Sequence, residues 1–305
     1  MKLWNQYIEE SLIALGQAGV QNPAGDLNAI FAHAMPGVDP AALHEKPVND
    51  NDAAFAAINT LVTRRLTREP MERILGYAIF HDLRLAMDDA VFKPGFETQA
   101  TVDHGIRVLK DRSGPVRILD LGTGTGCILI ALLKALPRAT AVGIDRDETH
   151  IALAARNAAA HGVADRASFV ISDWSAGVEG SFDLVISNPP RVPTRYVPEL
   201  VKEVALYDPR VSVDGGKDGL EFYERTARDF RRLAAPDGVC IMQVGNLMAA
   251  QALKLFWRQG FRGAQFGRDY RAQINCVIAV NEPNAPSVIQ RLQLLWRRVR
   301  RQNGS

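Results

Sequence analysis

The feature that most constrains the fold is a change of sequence texture near Val116. From there to Val280, short apolar runs alternate with stretches of helical periodicity. The apolar runs are Val116–Leu121, Ala141–Asp145, Ser168–Ser172, Phe182–Ser187, Val239–Val244 and Ile274–Val280. This alternation predicts an α/β fold, in which helices cover both faces of a mostly parallel sheet. No helical stretch directly precedes the final run, so we expect an antiparallel pair at the edge of the sheet.

The segment before this region has a different pattern. Apolar residues recur there at helical spacing, and proline and glycine interrupt them. We therefore predict a small helical domain over residues 1–75 and an extended connector or hairpin over 76–100. An α/β domain follows over 101–280, and the chain ends in a linker and a helix over 281–305.

Composition excludes several classes of protein. The 305 residues are 47% hydrophobic and 23% charged, which is the balance of a globular protein rather than a disordered or fibrous one. The net charge is only +2, so nucleic-acid binding is not expected of the body of the chain. No apolar run approaches the roughly 20 residues of a membrane span. Three widely spaced cysteines and scattered histidines indicate neither disulfides nor a metal site, and the expected location is the cytoplasm.

The first apolar run leads into a glycine-rich loop, Asp120–Gly126, and then into a helical stretch. Glycines at such a turn let backbone N–H groups approach a ligand closely. Asp145, at the end of the next run, is placed to accept hydrogen bonds from both hydroxyls of a ribose. The loop spacing is G-x-G-x-G, and an acidic residue precedes it. Both features favour S-adenosylmethionine, which has a ribose and an ammonium group, over a pyrophosphate cofactor.

The alternative is that this turn serves only tight packing. Asp173, after the third run, argues against that alternative because it is placed to meet an adenine amino group. The predicted cofactor-binding residues are Asp120, Gly122, Thr123, Gly124, Gly126, Asp145, Arg146, Asp173, Trp174 and Asn188.

The fourth run leads into a second informative turn, Asn188-Pro189-Pro190-Arg191. Ligands of doubly wound sheets lie beyond the carboxyl ends of the strands, so this turn should face the glycine loop. Prolines lack N–H donors and leave carbonyl groups free to accept hydrogen bonds. The amide oxygen of Asn188 and the carbonyl of Pro189 are thus expected to hold an NH₂ group and direct its nitrogen toward an electrophile. We predict that these four residues carry catalysis.

Together these motifs resemble those of the release-factor glutamine N5-methyltransferases, the HemK or PrmC type. The resemblance runs from about Leu27 to Val280 and includes a distinctive downstream stretch, Tyr207–Arg210 with Asp214–Leu220. It implies a seven-stranded, Rossmann-like class I methyltransferase domain behind a helical substrate-recognition domain. It also implies methylation of the glutamine in the GGQ loop of peptide-chain release factors.

Three departures from the family pattern fall where the family handles its substrate. Arg191 replaces a tyrosine, Gly95 and Phe96 replace Arg-Pro, and Ile79 stands where an acid is usual. A guanidinium can stack on a flat amide, can bind an anionic substrate, or can point into solvent. A protein glutamine is therefore the first expectation for the acceptor and a small molecule is the alternative. A non-catalytic scaffold that binds S-adenosylmethionine is a third hypothesis, although a binder has no chemical need for both motifs.

The tail beyond Val280 has five arginines and one acid, with apolar residues at helical spacing. A basic amphipathic helix can meet an acidic partner, RNA or a membrane surface. Packing on its own domain or in a homodimer is the favoured interpretation.

Overall fold

The computed structural model describes residues 2–49, 51–89 and 91–282. The helices are α1 Trp4–Gln17, α2 Pro23–Ala34, α3 Ala53–Leu66, α4 Met71–Leu75, α5 Phe96–Leu109, α6 Cys127–Ala135, α7 Glu148–Ala160, α8 Lys202–Tyr207, α9 Arg210–Val213, α10 Glu221–Leu233 and α11 Ala249–Arg258. The strands are β1 Tyr77–Phe80, β2 Leu83–Ala86, β3 Val116–Leu121, β4 Ala139–Asp145, β5 Ala167–Ile171, β6 Phe182–Ser187, β7 Ala234–Gln243, β8 Gln265–Arg268 and β9 Ile274–Val280.

The chain forms two compact units. Of the described residues, those within 1–78, 86–89 and 199–208 form the first unit, and the others form the second. In the first unit, α1, α2 and α3 bury one core that contains the aromatic rings of Trp4, Tyr7 and Phe31. Trp4 makes edge-to-face contacts with both of the other rings, with centroids 5.9 and 5.6 Å apart. Such contacts stabilise a small core beyond simple burial.

The first unit also contains α8, although this helix comes from the middle of the second unit's sequence. Glu203 of α8 accepts hydrogen bonds from the guanidinium groups of Arg65 and Arg68. Arg65 also bonds Asp26 at 2.7 Å. Because these side chains are mostly buried, removing one partner would leave an uncompensated charge and destabilise this unit.

The second unit is a seven-stranded sheet in the order β5-β4-β3-β6-β7-β9-β8. The five strands from β5 to β7 are parallel, while β9 is antiparallel to both β7 and β8. Apolar clusters cover both faces of the sheet. The strand order reverses between β4 and β6 on either side of β3, and ligands of such sheets bind at that switch point.

The α/β prediction is confirmed, and so is the antiparallel pairing of the last predicted run with β7. That pair, however, does not form the edge of the sheet. The edge strand is β8, whose sequence QFGR has no apolar run and only one buried residue. The segment predicted as an extended connector or hairpin contains a separate two-stranded sheet, β1-β2. Its two-residue link, His81 and Asp82, has positive φ at both positions.

The predicted tail helix lies outside the described residues, as does most of the linker before it. In the part of the chain that is described, no helix is both long and apolar enough to cross a membrane. The same part contains no group of three or more His, Cys, Asp or Glu side chains that could hold a metal ion.

Candidate active site

The glycine loop lies between β3 and α6, at the carboxyl end of the parallel strands. Gly122, Gly124 and Gly126 have φ values of 72°, 53° and 79°, a region that favours glycine because it has no Cβ. The N–H groups of Gly122 and Thr123 both donate to the carbonyl of Ile144 at 2.9 Å. The loop is therefore fixed to the end of β4, and its backbone leads directly into the start of α6.

Asp120 is fully buried beneath this loop. Its Oδ2 accepts a hydrogen bond from the Thr123 hydroxyl at 2.8 Å, whereas Oδ1 has no partner of normal geometry among the described residues. Burial is the main reason that the pKa of Asp120 is raised to about 7; the Thr123 hydrogen bond opposes this shift and the charge of Asp145 adds to it. A buried carboxylate oxygen without a partner is rare, and it suits a cationic ligand.

Asp145 ends β4 beside the loop. Its Oδ2 accepts the Gly124 N–H at 3.0 Å, and its Oδ1 accepts the Asp147 N–H at 3.2 Å. The buried His150 places Nδ1 3.2 Å from the same Oδ1. Burial by itself would raise the pKa of Asp145, but His150 and the two N–H donors outweigh it and lower the pKa. The carboxylate is thus ionised at neutral pH and held in one orientation.

Trp174 follows β5 and is buried beside the loop. A Cβ on Gly122 would lie 3.5 Å from Cζ3 of this ring. The indole Nε1 donates to the Thr226 hydroxyl at 2.9 Å, and the Phe222 ring packs against the indole with centroids 4.6 Å apart. A fixed aromatic face therefore borders the glycine loop.

Asp173 and Arg146 differ from the other predicted cofactor residues because both are exposed. The Asp173 side chain is 68% exposed and pairs with Arg225 at 3.0 Å. Among the described contacts, none joins either side chain to the glycine loop. Their role in cofactor binding stays a prediction.

The Asn-Pro-Pro turn follows β6, which is the neighbour of β3. The Ser187 hydroxyl donates to the carbonyl of Leu121 at 2.6 Å and so ties the end of β6 to the start of the glycine loop. Asn188 is half-buried. Its Nδ2 donates to the Thr98 hydroxyl at 3.3 Å, and its Oδ1 accepts from Nη1 of Arg191 at 2.6 Å. Both polar atoms of the carboxamide are thereby oriented.

Arg191 is half-buried and engaged with Asn188, so its guanidinium is not directed into solvent. Pro189 is buried and Pro190 is half-buried. Neither proline has an N–H, so the backbone at these two positions presents acceptors only.

A segment distant in sequence, Val213–Gly219, packs against the backbone of the turn. The N–H of Gly215 donates to the carbonyl of Val192 at 2.8 Å. A Cβ on Gly215 would lie 2.7 Å from Cα of Arg191, and one on Gly219 would lie 2.4 Å from the Arg191 carbonyl oxygen. Both glycines are required because any side chain would collide with the backbone of the turn. This explains why the distinctive downstream stretch is rich in glycine.

The structure thus brings the glycine loop, Asp120, Asp145, Trp174 and the Asn-Pro-Pro turn together at the carboxyl end of the parallel strands. Sequence reasoning did not assign the contacts of Thr98 or His150. Thr98 lies 90 positions from Asn188, and no local pattern signals such a contact. His150 is five residues after Asp145, on the following helix, and that short spacing is the one signal that was available.

The chain is similar to known methyltransferases. A family model described as "Methyltransferase domain" matches residues 113–285. A release factor glutamine methyltransferase of Rhodospirillum rubrum is 36% identical over 91% of this chain and 88% of its own length. One of Agrobacterium fabrum is 35% identical over 84% of this chain and 90% of its own. Among solved structures, a release-factor-specific protein-(glutamine-N5) methyltransferase of Alicyclobacillus acidocaldarius is 23% identical, with a TM-score of 0.38, over 62% of this chain and 94% of that one.

Proposed function

Because the chain belongs to the release factor glutamine methyltransferase family and is an S-adenosylmethionine-dependent methyltransferase, we propose that its acceptor is the side-chain nitrogen of a protein glutamine. The observation that carries the proposal is the oriented carboxamide of Asn188, next to two prolines whose backbone offers only acceptors. The glutamine of the GGQ loop in peptide-chain release factors is the specific acceptor that we propose.

The residues of the glycine loop fit S-adenosylmethionine. The unpartnered Oδ1 of Asp120 suits the ammonium group of the cofactor, and the ionised Asp145 suits its ribose hydroxyls. The Trp174 ring offers an apolar wall beside the loop. When bound, the cofactor supplies a methyl group on a sulfonium, which is an electrophile that needs no metal or acid for its activation.

The acceptor side has to hold an NH₂ group in line with that methyl group. The Pro189 carbonyl and the second lone pair of Asn188 Oδ1 accept its two N–H bonds. Bound in the loop, the cofactor would supply the methyl group to this nitrogen, and the bonding pair of the methyl–sulfur bond would stay on sulfur. One amide proton is then released to solvent. The site contributes alignment and proximity, which are large effects for a group transfer of this kind.

A small anionic acceptor is the second candidate, and Arg191 is the residue that would bind it. The Arg191 guanidinium already donates to Asn188 at 2.6 Å. This contact favours a role in which Arg191 orients the Asn188 carboxamide over a role as a free cation awaiting an anion.

The test is incubation of the protein with S-adenosylmethionine and a bacterial release factor, followed by mass spectrometry of the GGQ peptide. We expect one added methyl group, on the glutamine. An unmodified peptide, with cofactor binding demonstrated by calorimetry, would refute the proposed acceptor. The search would then move to small amino-, guanidino- or carboxylate-bearing molecules.

A further inference from the structure

A buried carboxamide with no role in the site described above lies at the end of β7. Gln243 is the last residue of that strand and is 1% exposed. Its side-chain oxygen has no hydrogen-bond partner among the described residues, although buried side-chain oxygens nearly always have one. Its backbone is held, because its carbonyl accepts the Tyr223 hydroxyl at 2.7 Å.

The register of the sheet places Gln243 beside the Asn-Pro-Pro turn. Ser187 of β6 pairs with Met242 of β7 in the parallel ladder. Asn188 and Gln243 are the next residues along these two strands. Neighbouring strands are about 4.8 Å apart, so the two residues start from adjacent backbone positions.

Both side chains also lie on one face of the sheet. Ile186 and Ile241 belong to the same apolar cluster, which includes residues of α5 and α6. Side chains alternate along a strand, and Gln243 is two residues after Ile241, so it shares that face. Asn188 bonds Thr98, in the first turn of α5. Two carboxamides therefore start from adjacent backbone positions on one face of the sheet. The polar atoms of Asn188 have partners, whereas Oε1 of Gln243 has none among the described residues.

We propose that Gln243 is a second acceptor-binding residue, which pairs with a primary carboxamide. Its Nε2 donates to the acceptor's carbonyl, and its Oε1 shares one of the acceptor's two N–H groups with the Pro189 carbonyl in a three-centre hydrogen bond. Such a pair recognises an amide and discriminates against the corresponding carboxylic acid, which lacks the N–H. The inference rests on the proposed function, since it assigns the acceptor's chemical class.

The first test is Gln243→Met, which keeps the length of the side chain and removes its polar atoms. The matched control is Ile241→Met, on the same face two residues earlier. We expect kcat/KM for the release factor to fall 10- to 100-fold in Gln243→Met, with the dissociation constant of S-adenosylmethionine changed less than twofold. The melting temperature should not fall, because an unpartnered buried oxygen is removed. Gln243→Glu keeps an accepting oxygen and should recover part of the loss.

If Gln243 has only a structural role, the Gln243→Met variant gives different results. Unchanged kcat/KM with a raised melting temperature would show that Gln243 is an unsatisfied core residue or binds only a water molecule. A fall in melting temperature together with loss of cofactor binding would show a packing role. Either result overturns the inference.

A binding experiment separates this inference from the proposed function. The probes are the N-methylamides of Gly-Gly-Gln and Gly-Gly-Glu, of which only the first has a primary carboxamide. Each is added with S-adenosylhomocysteine, and binding is followed by saturation-transfer NMR. We expect the wild type to prefer the glutamine peptide and Gln243→Met to lose that preference.

If the wild type shows this preference but methylates no release factor, the proposed acceptor fails and the inference stands. If the wild type methylates the release factor and Gln243→Met does so equally well, the inference fails alone. If the wild type neither prefers the amide nor methylates, both fail.

Discussion

The two halves of the candidate site are built in different ways. The glycine loop is held mainly by residues close to it in sequence, since Thr123, Ile144 and Asp145 all lie within 25 positions of Asp120. The Asn-Pro-Pro turn is held by side chains and backbone from remote segments, namely Thr98 and Val213–Gly219. A cofactor that many enzymes share is thus bound by a local motif, whereas the acceptor site is assembled from several parts of the chain.

This difference predicts a separation of effects. Changes on the turn should lower turnover and spare cofactor affinity, and changes at the loop should do the reverse. The predictions below test that separation, beginning with the largest effect.

Asn188→Ala removes the oriented carboxamide. We expect kcat for the release factor to fall about 1,000-fold, as it does when one preorganised hydrogen-bonding group is deleted from other active sites. The dissociation constant of S-adenosylmethionine should change less than twofold. Steady-state rates and isothermal titration calorimetry measure the two quantities. A collapse of cofactor affinity would mean that the site is not divided as described.

Gly219→Ala tests the support beneath the turn. The new Cβ would lie 2.4 Å from the Arg191 carbonyl oxygen, so the turn has to shift. A displacement of about 1 Å at a reacting centre lowers rates about 100-fold, and we expect a loss of that size in kcat. Gly162→Ala is the control, because Gly162 also has positive φ but has open space around it. Equal losses in both variants would indicate backbone strain in place of a collision with the turn.

The contrast between a local motif and a site assembled from remote segments also explains which features could be predicted from the sequence. The alternation of apolar runs predicted the sheet, and the loop sequence predicted a ligand site, because both signals are local. The strand β8 was not predicted, since its four residues pair with β9 without an apolar run of their own. The free oxygen of Gln243 and the Thr98 contact depend on strand register and on the placement of α5. No periodicity encodes either one.

Asp145→Ala acts on the loop side. Loss of hydrogen bonds to a charged group amounts to about 2 kcal/mol, so cofactor affinity should fall ~30-fold. At saturating cofactor, kcat should stay within about threefold of the wild type. Asp173→Ala, measured in parallel, tests the predicted role of Asp173 in cofactor binding. Unchanged affinity would assign Asp173 to its ion pair with Arg225 alone.

The smallest predicted effect concerns pH. The pKa of Asp120 is raised to about 7 by burial, so at pH 6 most of the unliganded protein carries this carboxyl protonated. The ammonium group of the cofactor requires the ionised form, and binding below pH 7 therefore has to release a proton. The affinity for S-adenosylmethionine should rise about eightfold between pH 6 and pH 7.5.

Calorimetry in buffers of different ionisation enthalpy measures both this affinity and the number of protons released. Asp120→Asn should bind the cofactor more weakly, and its affinity should lose this dependence on pH. At saturating cofactor, kcat of the wild type should not vary with pH over this range. A wild-type affinity that is flat across this range would mean that Asp120 does not bind the ammonium group.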